Sequence, residues 1–438
     1  MGDLLSLIRN TLSADETALS VASENTAGAS SATYHAERAT LAAVPAGADP
    51  LGAASPPPPN GMEVVTIERM SDPTAAAGLL HAMGSAALAS TALQGLSPIE
   101  TAFAANASGG VQDALQTLQT AWNAYEDAPT SLGAAQALYG SAGQVAQAVN
   151  VLQGQLSGVA DTLIAQASRQ AGQFGSLLGQ IATTQQALAS LPPDTTAAGS
   201  LLDQVDALTE QLAQLGGAVS HPTEGLKRLI AAPGDGPVWV DGSQVPLMTS
   251  TGAVLNTLVT SSGPWYTASV SFTAGHTVAF DPAFGELAGT LQALGTVESF
   301  GAELAGLSQT LASTVPANPS TALFVTTGGG GLYINPSVSA QSLQASVAAQ
   351  AEPALGAALN QWGTIAAGVG TVTHELTASA TAAAAGVTGY QEALQKVIGV
   401  DPNQAAVSVI EDQQAFQAAA QLLATQQSLM TTLLQAVA

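Results

Sequence analysis

"EDQQAFQAAAQLLATQQSLMTTLLQAVA", residues 411–438, opens with two carboxylates and carries no charge in the twenty-six residues that follow. Val409, Phe416, Ala420, Leu423, Met430, Leu434 and Val437 fall on a seam repeating about every 3.5 residues, with Gln413 and Gln427 at two of its positions. Asp401 before Pro402 is a helix start signal, because Pro lacks an N–H at a position where a helix leaves one unused. The spacing therefore predicts a terminal amphipathic helix. At the other end Leu5, Ile8, Leu12, Leu19 and Ala22 form a similar stripe, predicting a helix over 3–26. Apolar seams do not say whose surface covers them. Both helices could bury into one core of a monomer, or pair with each other and with neighbouring subunits.

Composition narrows the choice of partner. Seven Lys and Arg stand against thirty-one Asp and Glu, for a net charge of −24. No basic stripe exists to neutralise phosphates, so neither nucleic acid nor an anionic membrane is expected as a partner. Charged residues make up 9% of the chain, leaving Gln, Ser, Thr and Asn to wet the surface. Aromatics contribute only 4%, so Ala, Leu and Val must carry burial through many small contacts, which favours slender helix packing. There is no cysteine, hence no disulfide and no thiolate metal site. The start, "MGDLLSLIRNTLSADE", bears acids where a signal peptide carries its basic region, and no cleaved signal is expected. The most apolar stretch, near 75–94, is interrupted by His81, Ser85, Ser90 and Thr91 and makes a poor membrane span.

Between the ends, "DPLGAASPPPPNG" (49–61) reads as a linker and "MEVVTIERM" (62–70) as a strand. Residues 73–130 are Ala-rich helix with a Gly-Gly break at 109–110. From Val145 through Val149, Leu152, Leu156, Leu163, Phe174, Ile181 and Leu188, an apolar stripe predicts a helix on the order of 65 Å long. "LPPDTTAAGS" (191–200) turns the chain, and Leu201, Val205, Leu208, Leu212 and Leu215 pack back antiparallel. Residues 233–284 read as two β-hairpins and "LFVTTGGGGLYINP" (323–336) as another, while 286–314 and 338–396 return to helix. The fold class expected is α+β, mainly α. Its expected parts are a terminal coiled coil (1–40 with 401–438), a long antiparallel helical bundle (41–225 with 285–400) and a small inserted β-rich unit (226–284).

No catalytic constellation emerges. The five histidines are scattered, and His374-Glu375, adjacent on a helix, face different directions. Gly328–Gly331 lacks the Lys and Ser/Thr of a phosphate loop and reads as a turn. Asp203 with Asp206, and Glu411 with Asp412, read as solvated helix positions without a partner base. Asp235, Asp241 and Asp281, the acids of 233–284, give no convincing hydrolase pair. Neither an enzyme nor a cofactor is expected.

Two signatures carry a resemblance. "LIRNTLSADETALSVASENTAGASSATYHAER" (7–38) is similar to the N-terminal signature of the flagellar rod, hook and hook-associated axial proteins, with Asn25 and Tyr34 matching; Ala32-Thr33 stand where that family usually has Pro-Gly. "GVDPNQAAVSVIEDQQAFQAAAQLLATQQSLMTTLLQAV" (399–437) resembles their C-terminal signature, and its 413–420 core has the form of the hook-associated branch. "MEVVTIERMSDP", "AWNAYEDAP", "SLLDQVDALTEQLAQL" and "GELAGTLQAL" follow in the family's order. The resemblance implies a flagellar structural protein that self-assembles as a junction ring between hook and filament and is required for filament assembly. Its implied partners are hook protein on one side, a second hook-associated protein on the filament side, and an export chaperone on the C-terminal helix. It implies an extracellular place on the flagellum, reached through the flagellar type III apparatus. Assembly contacts are expected at Leu5, Ile8, Leu12, Leu19, Asn25, Tyr34, Val409, Gln413, Phe416, Ala420, Leu423, Met430 and Leu434. The alternatives are a hook or distal-rod protein and, from a different class, a secreted coiled-coil adhesin.

Overall fold

The structure, a computed structural model, describes residues 2–31, 33–43, 62–105, 110–192, 195–216, 254–262, 265–273, 277–280, 284–313, 322–343 and 352–437. Its chain is mainly helical, with three small antiparallel sheets among the described residues. The N-terminal helix α1 (Gly2–Gly28) leads into β1 (Glu37–Ala43), which pairs with β2 (Met62–Arg69) as a ribbon with a register shift between Thr40 and Leu41. The strand expected at 62–70 is thus present, and the extended chain before it supplies its partner.

Long helices form the body: α2 (Pro73–Ala105), α3 (Val111–Asp127), α4 (Leu132–Ala189), α5 (Thr196–Gly216), α6 (Gly285–Ser313), the short α7 (Ala340–Leu343) and α8 (Glu352–Ile398). Helix α2 begins on an Asp-Pro pair like the one at 401–402. Asp72 caps α2 by accepting from the Thr74 and Ala75 amides, both at 3.0 Å, and Pro73 occupies the first helical position. Helix α4 runs as one 58-residue helix, longer than its stripe alone suggested. Two things extend it: Ser131 caps its start, and buried Leu138 and Ala142 lie N-terminal to the stripe.

One core runs through α2, α3, α4, α6 and α8. Small residues do most of the filling, and the few aromatics sit where helices meet. Phe103 stacks on Trp362 at 5.4 Å, with Phe300 at 6.0 Å. Residues 73–103 of α2 are long and apolar enough to cross a membrane by composition, yet they pack against α6 and α8 within this bundle. Gln170 on α4 accepts from Thr290 on α6 at 2.8 Å, a buried polar pair that pins helix register.

The hairpin expected near 323–336 is present as β6 (Phe324–Thr326) and β7 (Leu332–Ile334). Its glycine run is a turn: Gly330 has φ +79°, which only glycine adopts without strain. Asn150 of α4 fastens the hairpin by donating to the Leu332 carbonyl at 2.8 Å and accepting from its amide at 3.0 Å. In the expected β-rich stretch, β3 (Val254–Ser262), β4 (Trp265–Thr273) and β5 (Thr277–Phe280) form one three-stranded meander against α4 and α6. Residues 226–253, including Asp235 and Asp241, lie outside the described residues, as does Asp281.

The last helix, α9 (Pro402–Val437), starts at Asp401, whose carboxylate accepts from the Asn403 amide at 2.8 Å. It lies against α1. Asn25 and Val21 lie by residues 401–408 while Asp15 feels Asp412, so the two terminal helices run antiparallel.

Candidate functional site

The terminal pair shows what each sequence-expected residue does. Ile8 is buried on α1, and Leu12 and Leu19 are half-buried there, beside buried Ala14, Val21 and Ala22. On α9, Val409, Phe416, Ala420 and Leu423 are half-buried on the side of buried Ala405 and Ala419. The seam continues through Asp412 and Gln426, whereas Gln413 and Gln427 are exposed and Met430 is 40% exposed. At about 100° per residue Gln427 and Met430 stand at the same angles as half-buried Val409 and Asp412 earlier on the helix, so their exposure reflects position along α9 rather than rotation. The side chains of Leu5 and Leu434 lie outside the described residues.

A second apolar stripe lies a half turn away on α9. Val407, Ile410, Leu422 and Leu429 are 53%, 54%, 62% and 61% exposed. At about 100° per residue they cluster opposite the α1-facing seam. Helix α9 therefore has two sticky faces, one covered by α1 and one bare; the bare one carries the charged Glu411 near its start and uncharged Gln414, Ala418 and Thr425 beyond it.

Asn25 and Tyr34 do a different job from the helix seams. Asn25 Nδ2 donates to the Glu37 carbonyl at 2.7 Å, while its Oδ1 accepts from the Glu37 amide at 2.8 Å and the Tyr34 hydroxyl at 2.9 Å. The Asn side chain thus imitates a strand neighbour and ties β1 to the end of α1. Burial, then the nearby Glu37 carboxylate, hold the Tyr34 phenol above its ordinary range, so it stays a donor.

The ribbon also docks on α5, through groups the sequence left unassigned. Arg69, at the end of β2, donates to Asp203 Oδ1 from Nε at 2.9 Å and from Nη2 at 2.5 Å, and from Nη2 to Asp206 at 2.6 Å. The two aspartates are therefore ion-paired rather than solvated. His35 joins them, Nε2 lying 3.5 Å from Asp206 and Nδ1 2.7 Å from the Met70 carbonyl. His35, Asp203 and Asp206 are close enough together to hold a cation, and the guanidinium of Arg69 is the cation bound there. Burial and then Arg69 push the His35 imidazole below its ordinary range, which keeps it neutral. Burial raises Asp203 despite its partner Arg69, and raises Glu210 one turn on from Asp206. No spacing rule links residues 134 and more positions apart, so only the fold brings these groups together.

Beneath the ribbon, a groove of about 660 Å³ runs between α1, β1 and the first turns of α9, bordered by Arg38, Asp401, Glu411 and Asp412. Burial, and then Asp15 and Glu411, push the Asp412 carboxyl above its ordinary range. The site binds and positions; its groups show no nucleophile activated by a neighbouring base.

A family model described as the helical domain of the flagellar hook-associated protein FlgK matches residues 96–323, just over half of the chain. Among solved structures, the chain is similar to the flagellar hook junction protein FlgK from Burkholderia pseudomallei, at 21% identity and a TM-score of 0.45. That overlap takes in 57% of this chain and 47% of the other, so the chain spans about half of that relative's length. No curated protein matches it.

Proposed function

We propose, because this chain belongs to the family of the flagellar hook-associated protein FlgK, that it is a structural subunit forming a junction ring between hook and filament, on which filament assembly depends. That it is a flagellar hook-associated structural protein follows from the family; the ring and its position are our reading. The observation that carries the reading is the bare stripe Val407, Ile410, Leu422 and Leu429 on a helix already covered on its other face. Exposed apolar surface of this kind is stable only when something covers it, and a polymer of like subunits covers it with another copy. The absence of charge from 413 to 438 fits this, because a carboxylate would have to be desolvated in a packed inner layer.

Within such a ring, α1 and α9 form the inner layer, with Leu5, Ile8, Leu12, Leu19, Val409, Phe416, Ala420, Leu423 and Leu434 holding the pair together. Asn25 and Tyr34 set the exit angle of the chain toward the bundle. Residues 41–225 with 285–400 stand outside that layer, and 226–284 outermost. Hook protein contacts one side and a second hook-associated protein the other, and an export chaperone covers the sticky face of α9 before the subunit leaves the cell by the flagellar type III route.

A strain deleted for this gene should build hooks, release filament subunits into the medium and carry no filaments. Normal filaments on such cells would overturn the proposal.

A further inference from the structure

The contact between the β1–β2 ribbon and α5 holds one carboxylate whose surroundings the assembly role does not explain. Glu37 is buried, 7% exposed, and its Oε2 reaches no hydrogen-bond partner. The carboxyl is seated directly on Gly199 of α5, where a Cβ would overlap its Oε1. Its backbone cannot shift to relieve this, since Asn25 holds both the Glu37 amide and its carbonyl.

Charge around the seat is one-sided. Glu24 faces it from α1, and Asp203 from α5, where Asp206 and Glu210 follow on. The guanidinium of Arg69, opposite Glu37 in the strand ladder, is committed to Asp203 and Asp206. His35 sits beside Asp206 and is kept neutral by burial. Arg38 and Glu68, paired across the ladder, are next along the ribbon, and Arg38 is exposed. From α9, Asp401, Glu411 and Asp412 add further negative charge across the groove that Glu37 and Arg38 also line. Arg69 still draws a charge on Glu37, but less strongly than burial, Glu24 and Asp203 oppose it.

The backbone passes between the terminal unit and the bundle at few places. It leaves α1 toward β1, runs from Met70 into the Asp72 cap of α2, and crosses at Gly399–Asp401 between α8 and α9. Backbone hydrogen bonds join those crossings to one another: Ala36 donates to the Ile398 carbonyl at 2.9 Å and Met70 to the Ala36 carbonyl at 2.8 Å. The dock on α5 is what fixes the ribbon against the bundle from the side.

We propose that this dock is proton-gated: with Glu37 protonated the ribbon stays seated on α5, and with Glu37 ionised the seat is released and the terminal helix pair is free to reorient on the bundle. The gate stands on the geometry of this chain alone and does not depend on the junction role.

The sign follows from linkage. Burial, then Glu24 and Asp203, raise the seated Glu37 carboxyl from its ordinary 4.5 to about 7. The seated form therefore binds the proton more tightly than the released form. Seating is strongest below about 4.5, weakens about tenfold per pH unit as pH rises toward about 7, and is level above that. Asp203 and Glu210, also raised, act in the same direction. His35, lowered, acts against them, because the seated form prefers its neutral ring. Glu37 alone lacks both a partner and room, so it decides the outcome.

The chain has no native cysteine, so exposed Ser23 on α1 and Gln204 on α5 can be replaced by cysteine in the full-length protein and spin-labelled. Electron–electron distance distributions between pH 5 and pH 8 should move from one narrow, seated distance to a broad, longer population. In Glu37→Gln the seated distance should persist across the range. In Gly199→Ala, which fills the seat, the released population should dominate even at pH 5. A parent distribution that ignores pH would overturn the proposal, and so would Glu37→Gln opening with the parent's profile. Gly199→Ala remaining seated at pH 5 would overturn it independently.

Discussion

Replacing Arg69 by Ala isolates the energetics of the ribbon dock. The guanidinium makes three charge-assisted bonds to Asp203 and Asp206, and the three side chains are 15%, 16% and 27% exposed. Without it, two carboxylates three positions apart on one helix face are left close together, half-desolvated and repelling each other. Breaking a fully buried ion pair costs about 3–5 kcal/mol, and the water reaching Asp206 lowers that to about 2–3 kcal/mol here. Because the loss falls on a local dock, the assay is native-state amide exchange at pH 6, read on the paired amides of β1 and β2. Their exchange should accelerate roughly 30- to 150-fold. At pH 4 the acceleration should shrink, because Asp203, already raised by burial and no longer opposed by Arg69, takes up a proton and removes the repulsion. Arg69→Lys keeps a charge but loses the fork that reaches both aspartates, and should recover less than half of the protection. Acceleration below threefold at pH 6 would show that the ion triple holds nothing that the strand ladder does not hold already.

Leu422→Ser with Leu429→Ser should leave the monomer's helix content and melting within about 0.5 kcal/mol of the parent, because both side chains are exposed, while abolishing incorporation into flagella. A double variant that still assembles would remove the bare stripe from the interface. Asn25→Ala should loosen the end of α1 by about 1–3 kcal/mol, seen as faster exchange at the Glu37 amide, since that amide and the Glu37 carbonyl both lose their partner.

Much of the architecture was legible because it is local. The Asp-Pro start of α9, the strand expected over 62–70 and the turn at Gly328–Gly331 each depend on residues a few positions apart, and the stripe of α4 needs only the helical repeat. Asn25 and Tyr34 could be picked out by their likeness to a signature, but their purpose, tying Glu37 to α1, becomes visible only when the helix end and the strand meet. The seam of α9 was half legible: Val409, Phe416, Ala420 and Leu423 face α1 as the pattern indicated, yet Gln413 and Met430 are exposed. The second stripe was hidden by the first, because a helix with apolar residues on two faces gives a blurred period. The dock was illegible for another reason. Arg69 and Asp203 look like ordinary polar positions in their own segments, and their pairing is a property of the tertiary fold.

The length of α4 gives the dock leverage. A 58-residue helix extends about 87 Å, and its C-terminal end hands over to α5 beside the ribbon. A tilt of about 5° at the Glu37 seat would then swing the far end of α4 by roughly 8 Å. If the dock is proton-gated, a single proton there would move the far end of α4 by more than the width of a side chain.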